Sequence, residues 1–173
     1  MVASRWQAFF FDAETKVKFE PWNYQQMAGL TNFYNDKHWS WIFITFDEVR
    51  QKRVIEIAEN NRGQYTSYLK DQAIVIPDDV EDVWFKTLVR KSFYQYAYSF
   101  NGVDWSIINV KLDAAVLSDD YVLQTYGGFF TGAFVGSRLS IIPAMISLRP
   151  SSISATKNWG KIESSCAQCC GDR

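Results

Sequence analysis

The chain contains four pairs of adjacent carboxylates, a residue type that suits acid–base chemistry. General acid–base catalysis needs two groups that approach the reacting bond from different sides. Neighbouring residues of a strand point to opposite faces, and neighbouring residues of a turn are usually solvated. We therefore expect no catalytic residue among them: Asp47–Glu48, Asp78–Asp79, Glu81–Asp82 and Asp119–Asp120.

Histidine and cysteine offer little chemistry in this chain. His38 is the only histidine, and no nucleophile-elbow motif accompanies any serine that could join it in a triad. Cys166, Cys169 and Cys170 lie within the last eight residues. One Cys-x-x-Cys-Cys segment without a histidine supplies too few ligands for a closed zinc site. We expect neither a metal nor any other cofactor, and the role of the cysteine segment stays open.

Aromatic residues could bind a sugar. Trp39, Trp41 and Tyr96 lie on two segments that read as strands. Aromatic rings stack on the apolar faces of pyranose rings, and tyrosine adds a hydroxyl group. The other interpretation is that these side chains are part of the core, because aromatic residues are enriched in strands anyway. Both interpretations stay open on the sequence alone.

Alternation of apolar and polar residues dominates the sequence and predicts strands. The clearest example is residues 7–20, where Phe9, Phe11, Ala13 and Val17 share one face and charged side chains the other. A hairpin is predicted over 94–108 with a turn at Asn101-Gly102. Only residues 113–118 read as a helical turn. Many short strands without a βαβ rhythm predict an all-β fold, an antiparallel two-sheet jelly-roll sandwich.

The amino-acid composition and the net charge limit the partners and the cellular location that we expect for this protein. Hydrophobic residues make up 47% of the 173 residues, and the formal net charge is −1. The charge indicates neither nucleic acid nor an acidic membrane surface as a partner. No apolar run approaches the roughly 20 residues of a membrane span, and no signal-peptide pattern is evident. We expect a cytoplasmic location, because the first 165 residues lack a disulfide framework.

The pattern changes near Ser137. Alternation fades there, and the segment that follows residue 146 is rich in serine. We predict a sandwich domain over residues 1–136. Residues 137–173 are predicted to form an irregular, poorly ordered tail.

Several segments, in order and at the expected spacings, resemble the C-terminal concanavalin A-like sandwich of family 43 β-xylosidases. The most specific is Phe-Thr-Gly-Ala-Phe-Val-Gly, at 130–136. In the family, the sandwich starts some tens of residues earlier, so the chain is expected to lack its first strands. The other segments are 13–16 (Ala-Glu-Thr-Lys), 25–30 (Gln-Gln-Met-Ala-Gly-Leu), 33–35 (Phe-Tyr-Asn) with His38-Trp39, 44–48 (Ile-Thr-Phe-Asp-Glu), 98–102 (Tyr-Ser-Phe-Asn-Gly) with Trp105, and 117–121 (Leu-Ser-Asp-Asp-Tyr).

The resemblance implies an accessory role in hemicellulose breakdown. In the family, the catalytic acid and base lie on a separate five-bladed propeller, which is the implied partner in cis. Glycines flank Phe129 and Phe130 in the segment 127–132. In the family a phenylalanine of this segment reaches the substrate pocket, which points to Phe129, Phe130 and Thr131, with Phe130 favoured. The alternative is that both rings pack in the core, since glycines within a strand often mark bends.

The implied function is therefore the accessory sandwich of a family 43 β-xylosidase or α-L-arabinofuranosidase, inactive without a propeller. One alternative is a carbohydrate-binding module that acts alone on xylan-type oligosaccharides. Another is a subunit that docks on a separate propeller.

Overall fold

The computed structural model describes residues 1–126 and 131–141. They form twelve strands, two short 3-10 helices and one α-helix. The first six strands are β1 (Val2–Arg5), β2 (Phe10–Lys18), β3 (Gln26–Asn35), β4 (His38–Asp47), β5 (Lys52–Asn61) and β6 (Gln64–Ser67). The others are β7 (Ile74–Val75), β8 (Asp82–Arg90), β9 (Phe93–Ser99), β10 (Ser106–Ile107), β11 (Leu112–Asp113) and β12 (Phe134–Ile141). The 3-10 helices are Lys70–Gln72 and Ala114–Leu117, and α1 is Asp119–Tyr126.

The strands form two antiparallel sheets. The larger, seven-stranded sheet has the order β1-β12-β3-β4-β5-β6, with β7 also paired to β5. The smaller, five-stranded sheet has the order β10-β9-β8-β2, with β11 also paired to β9. This arrangement confirms the predicted antiparallel two-sheet sandwich.

The core lies between the two sheets and follows the predicted alternation. In β4, Ile42 and Ile44 are buried against the smaller sheet, whereas Trp41 and Phe43 point to the outer face of the larger sheet. Phe85 and Val89 of β8 fill the core from the opposite side. Burial of apolar area of this kind is the main favourable contribution to folding.

Strand β2 is an edge strand within the described ranges, where β8 is its only strand partner. Its inward residues Ala13, Thr15 and Val17 are only half-buried. Its outward charged side chains are acidic in the first half of the strand and basic in the second half. They form ion pairs with β8 and with the residue before β8. Those pairs are Lys16–Asp82, Lys18–Glu81, Lys86–Glu14 and Arg90–Asp12.

The two ends of the sandwich differ. One end carries α1, and we call it the helix end. It also carries the turns at 35–37, 62–63 and 91–92 and the segments 6–9 and 131–133. Tyr121 of α1 donates to Asn61 Oδ1 there, at 3.2 Å. The far end carries the 48–51 turn and the 20–25 and 100–105 segments.

Three details differ from the sequence prediction. The connection between β9 and β10 is wider than the predicted tight turn, because Asn101 Oδ1 accepts from the backbone N–H groups of Val103 and Asp104. Helix α1 was not predicted at all. Strand β12 continues to Ile141 in register with β3, so the first residues assigned to the tail belong to the larger sheet.

Candidate functional site

The segment assigned to the substrate pocket begins outside the described residues. Phe129 and Phe130 both lie there, so their assignment stays a prediction. Thr131 is described, and it is half-buried at the helix end. The structure therefore defines the base of this segment, residues 131–133, and what anchors it.

Asp119 anchors the base of the segment. Its Oδ1 accepts from the backbone N–H of Gly132 at 3.2 Å and from the Tyr34 hydroxyl at 2.6 Å. Gly132 has φ +68, which favours glycine at this position. Burial, followed by the hydrogen bond to Asp119, raises the pKa of Tyr34, so this hydroxyl stays a donor. One carboxylate thus ties β3 and α1 to the chain just before β12.

The local sequence explains where Asp119 sits. The Ser118 hydroxyl accepts from the Tyr121 N–H at 3.3 Å and caps the first turn of α1. Asp119 and Asp120 lie in that first turn, where the helix dipole favours negative charge. The resemblance included this segment but assigned it no role. The cap and the two acidic residues were a usable helix signal.

Trp39 and Trp41 lie on the outer face of the larger sheet. Trp41 is only 3% exposed and packs against Phe43 and Ala58. Trp39 is half-buried, and its ring centroid lies 6.2 Å from that of the exposed Tyr65. The guanidinium carbon of Arg138 lies 5.2 Å from the Trp39 ring and 4.7 Å from the Trp41 ring. The Trp41 ring is therefore not accessible to a sugar. The Trp39 ring is partly accessible and lies beside the exposed Tyr65 ring, so these two rings could contact a sugar together.

Tyr96 does not belong to that surface, and its assignment with Trp39 and Trp41 was wrong. Its ring is fully buried between the sheets. Its hydroxyl lies 2.7 Å from Ser40 Oγ and accepts from Asn32 Nδ2 at 2.9 Å. The Tyr94 hydroxyl donates to the same Ser40 Oγ at 2.8 Å. Tyr96 is therefore part of a buried polar network in the core.

Replacing Tyr96 with phenylalanine should lower the free energy of unfolding by about 1–3 kcal/mol, because Asn32 and Ser40 would lose a buried partner. Urea unfolding followed by fluorescence measures this change. Tyr65→Phe is the matched control, since its exposed ring should change stability by less than about 0.5 kcal/mol. Equal losses for both variants would contradict a stabilising role of the network.

A buried carboxyl group escaped the sequence analysis. Glu59 of β5 faces the core, and its Oε2 accepts from the Tyr68 hydroxyl at 2.5 Å. Burial raises the pKa of Glu59 above its ordinary value, and the Tyr68 hydrogen bond offsets part of the increase. A carboxyl group buried with one hydrogen-bond donor is costly when it is ionised.

The pH dependence of stability follows from Glu59. Because the pKa of Glu59 is higher in the folded state than in the unfolded state, its protonated form stabilises the fold at pH values below the unfolded-state pKa. That stabilisation is lost as the pH rises through the folded-state pKa. Glu59→Gln should therefore have a higher free energy of unfolding than wild type at neutral pH. The difference between the two free energies should shrink as the pH is lowered toward 4.5. Denaturant titrations at several pH values test this, with exposed Glu48→Gln as the control. A constant gap would contradict the assignment.

His38 and Asp47, which were also considered for catalysis, make hydrogen bonds that stabilise turns of the fold. His38 is fully buried, and its Nδ1 lies 2.9 Å from Asn35 Oδ1. Burial, and secondarily the charge of Arg62, lowers the pKa of His38. Asp47 Oδ1 accepts from the N–H groups of Val49 and Arg50 in the turn that follows β4.

Residues 1–126 and 131–141 show neither a metal site nor a membrane-spanning helix. No cluster of His, Cys, Asp or Glu in these ranges could hold a metal ion. None of the described helices is long and apolar enough to cross a membrane. The Cys166, Cys169 and Cys170 segment lies outside the described residues.

The architecture defines the class of protein as a concanavalin A-like sandwich domain. The model of the beta xylosidase C-terminal concanavalin A-like domain matches residues 1–138. The chain therefore belongs to this family of β-xylosidase C-terminal domains, which confirms the resemblance.

Curated relatives support the same membership. The chain is 44% identical over 135 residues to a putative beta-xylosidase of Escherichia coli (strain K12) and to a beta-xylosidase of Bacillus subtilis (strain 168). Each match covers 78% of this chain but only 25% of the relative. The chain thus spans about a quarter of the length of these relatives.

Solved structures show the same fold. A crystal structure of xylan beta-1,4-xylosidase from Bacillus halodurans C-125 superposes with a TM-score of 0.72 at 25% identity. The superposition covers 80% of this chain and 26% of that one. A family 43 protein from Bacillus licheniformis superposes with a TM-score of 0.69 at 21% identity, over 80% of this chain and 25% of that one.

Proposed function

We propose that this chain works in hemicellulose breakdown as the accessory sandwich of a β-xylosidase or α-L-arabinofuranosidase. The catalytic acid and base belong to a propeller domain in cis, and the sandwich completes the sugar pocket with the segment that begins at residue 127. The observation that carries the proposal is the family match over residues 1–138, which includes this segment.

The chemistry assigned to this chain is positioning and exclusion of water. A phenyl ring from Phe129 or Phe130 packs against the bound sugar and keeps bulk water from its apolar face. The Asp119 contacts to Tyr34 and Gly132 hold the base of that segment. Precise placement matters, because a shift of about 1 Å in a positioning group can cost a hundredfold in rate.

A chimaera tests the proposal. The matching quarter of the Bacillus subtilis relative is replaced with this chain, and hydrolysis of p-nitrophenyl β-xyloside is measured. We expect turnover by the chimaera, little turnover by the relative without that quarter, and none by this chain alone. Turnover by the isolated chain that one carboxylate-to-amide substitution abolishes would overturn the proposal, as would a folded but inactive chimaera.

A carbohydrate-binding role for the chain alone is the second candidate. What supports it is the pair formed by Trp39 and the exposed Tyr65 on the outer face of the larger sheet. Titration with xylo-oligosaccharides should then show binding that Trp39→Ala or Tyr65→Ala abolishes. Trp41→Ala is a poor test, because this side chain is buried and its loss would also affect packing.

A further inference from the structure

The edge strand β2 presents unpaired backbone groups within the part of the chain that the structure describes. Its only strand partner there is β8. The backbone of Phe9 points toward β8, because its carbonyl oxygen accepts from the Lys91 N–H at 2.7 Å. Since this direction alternates along an antiparallel strand, the backbone groups of the even-numbered residues 12–18 point away from β8. A row of such N–H and C=O groups is a template for pairing with another strand.

The charges along this edge are complementary to themselves. The outward side chains are acidic at Asp12 and Glu14 and basic at Lys16 and Lys18. Two copies of β2 can pair antiparallel about a two-fold axis through Thr15. Glu14 of one copy then faces Lys16 of the other, and Asp12 faces Lys18. Opposite charges stabilise such cross-strand pairs. These side chains also form ion pairs beside β2, but they remain 42–51% exposed and thus accessible to a second copy.

The backbone and the charges select the same register. With the axis at Thr15, Glu14 and Lys16 of the two copies both direct their backbone groups at each other and can exchange two hydrogen bonds. Moving the axis to Glu14 or to Lys16 places that residue opposite its own copy, and like charges directly opposite are destabilising. A slipped register would also leave part of each edge free for a further chain. The charges therefore oppose open-ended growth as well.

The larger sheet leaves room for this arrangement. Thr15 Oγ1 lies 2.9 Å from Ser137 Oγ, so the midpoint of β2 lies over Ser137 of β12. Strand β1 pairs only with residues 134–137 of β12, and it therefore borders one half of the β2 edge. A two-fold axis through Thr15 places the β1 strands of the two copies beside opposite halves of the interface, so they do not overlap.

Apolar side chains beside the edge would gain cover from a second copy. Val2 and Leu139 lie on the same face of the larger sheet as Ser137, which faces β2. They are nevertheless 50% and 44% exposed, and the inward residues Ala13 and Val17 of β2 are only half-buried. A second β2 would extend the smaller sheet over this region. Burial of apolar area is a favourable contribution to association.

We propose that two copies of this chain associate through their β2 edges, paired antiparallel about Thr15, so that the two smaller sheets form one continuous sheet. The same surface patch serves both copies, as in an isologous two-fold contact. The contact uses both β2 edges, and it therefore closes at a dimer. This inference is independent of the proposed function.

Charge reversal on the full chain tests the dimer, with the dissociation constant measured by sedimentation velocity. Lys16→Glu and Glu14→Lys each place like charges opposite one another in both halves of the interface, so each should weaken dimerisation at least about tenfold. An equimolar mixture of the two variants should dimerise with an affinity close to that of wild type, because every glutamate then faces a lysine again. The control Glu48→Lys makes the same change of charge in the β4–β5 turn and should stay within about twofold of wild type.

The mixture also separates an interface effect from a folding defect, because two misfolded variants would not restore a dimer. A wild-type chain that sediments as a monomer at every concentration overturns the proposal, whether the β2 edge stays free or another segment covers it. A dimer that both reversals leave intact overturns it too, as does a mixture that associates no better than its components. Hydrogen exchange on wild type gives a second readout. Slower exchange of the Glu14 and Lys16 amides at higher protein concentration supports the pairing, and unchanged exchange in a dimer contradicts it.

Discussion

Replacing Gly29 with alanine should lower the free energy of unfolding by roughly 3 kcal/mol or more and could prevent folding. A Cβ atom at this position would lie 1.9 Å from the carbonyl oxygen of Ile42 and 2.6 Å from the Cα of Phe43. Both atoms belong to the backbone of β4, so no side-chain movement can relieve the clash. Chemical denaturation measures the loss, and the yield of soluble protein reports a complete failure to fold.

Gly63→Ala is the matched control for this prediction. Gly63 lies in the β5–β6 turn with φ +82, and a Cβ atom there would meet nothing within 4 Å. The substitution should therefore cost only about 1 kcal/mol, through backbone strain. Similar losses for the two variants would show that steric contact between β3 and β4 is not the cause.

Phe130→Ala should have little effect on the stability of the isolated chain but a large effect on the activity of the complete enzyme. In the isolated chain the change should cost less than about 1 kcal/mol, as expected of a surface substitution. In the chimaera described above, we expect kcat/KM for p-nitrophenyl β-xyloside to fall at least about tenfold with folding intact, because the ring would no longer position the sugar. Steady-state kinetics and urea unfolding of the same variant test both halves.

Phe85→Ala gives the reference for a core phenylalanine. Phe85 is fully buried between the sheets, so its truncation should cost about 3–5 kcal/mol. Phe129→Ala is tested in parallel, since the resemblance does not decide between the two neighbours. If both Phe129→Ala and Phe130→Ala destabilise the isolated chain as Phe85→Ala does, the two rings are core residues and the pocket assignment is wrong.

The fold could be predicted because alternation is a local signal. Phe11, Ala13 and Val17 of β2, and Ile42 and Ile44 of β4, face inward as the period requires. Phe9, which was predicted on the same inward face, lies before β2 and is exposed. Helix α1 was not predicted because its eight residues make only about two turns, too few for a clear helical period. Its capping signal at Ser118 lay in a segment identified only by resemblance.

The direction of Tyr96 was harder to predict. Alternation groups Tyr94, Tyr96 and Tyr98 on one face, but it cannot tell whether that face points to a ligand or to the other sheet. The deciding partners, Asn32 and Ser40, lie more than fifty residues away in the chain. One local signal was present, because a polar Asn or Ser on an otherwise apolar strand face must find a partner when it is buried.

The anchoring of residues 131–133 could not be predicted at all. Asp119 contacts Tyr34, which lies 85 residues away in the chain, and Gly132, which lies just before β12. Such contacts join distant parts of the chain, which local patterns do not report. The resemblance drew attention to both segments, and the structure adds the carboxylate that joins them.

Among residues 1–126 and 131–141, β2 pairs on one side only, and this has a consequence for the solution behaviour of the protein. The Phe9 carbonyl oxygen accepts from the Lys91 N–H, so the backbone groups of Phe9 point toward β8. Because these groups alternate along a strand, those of Glu14 and Lys16 point away from β8. Exposed edges of this kind are templates for further strands, and charged side chains, lysine above all, oppose such growth. Acetylation that removes the charges of Lys16 and Lys18 should therefore make a dispersed sample precipitate at concentrations that the untreated protein tolerates.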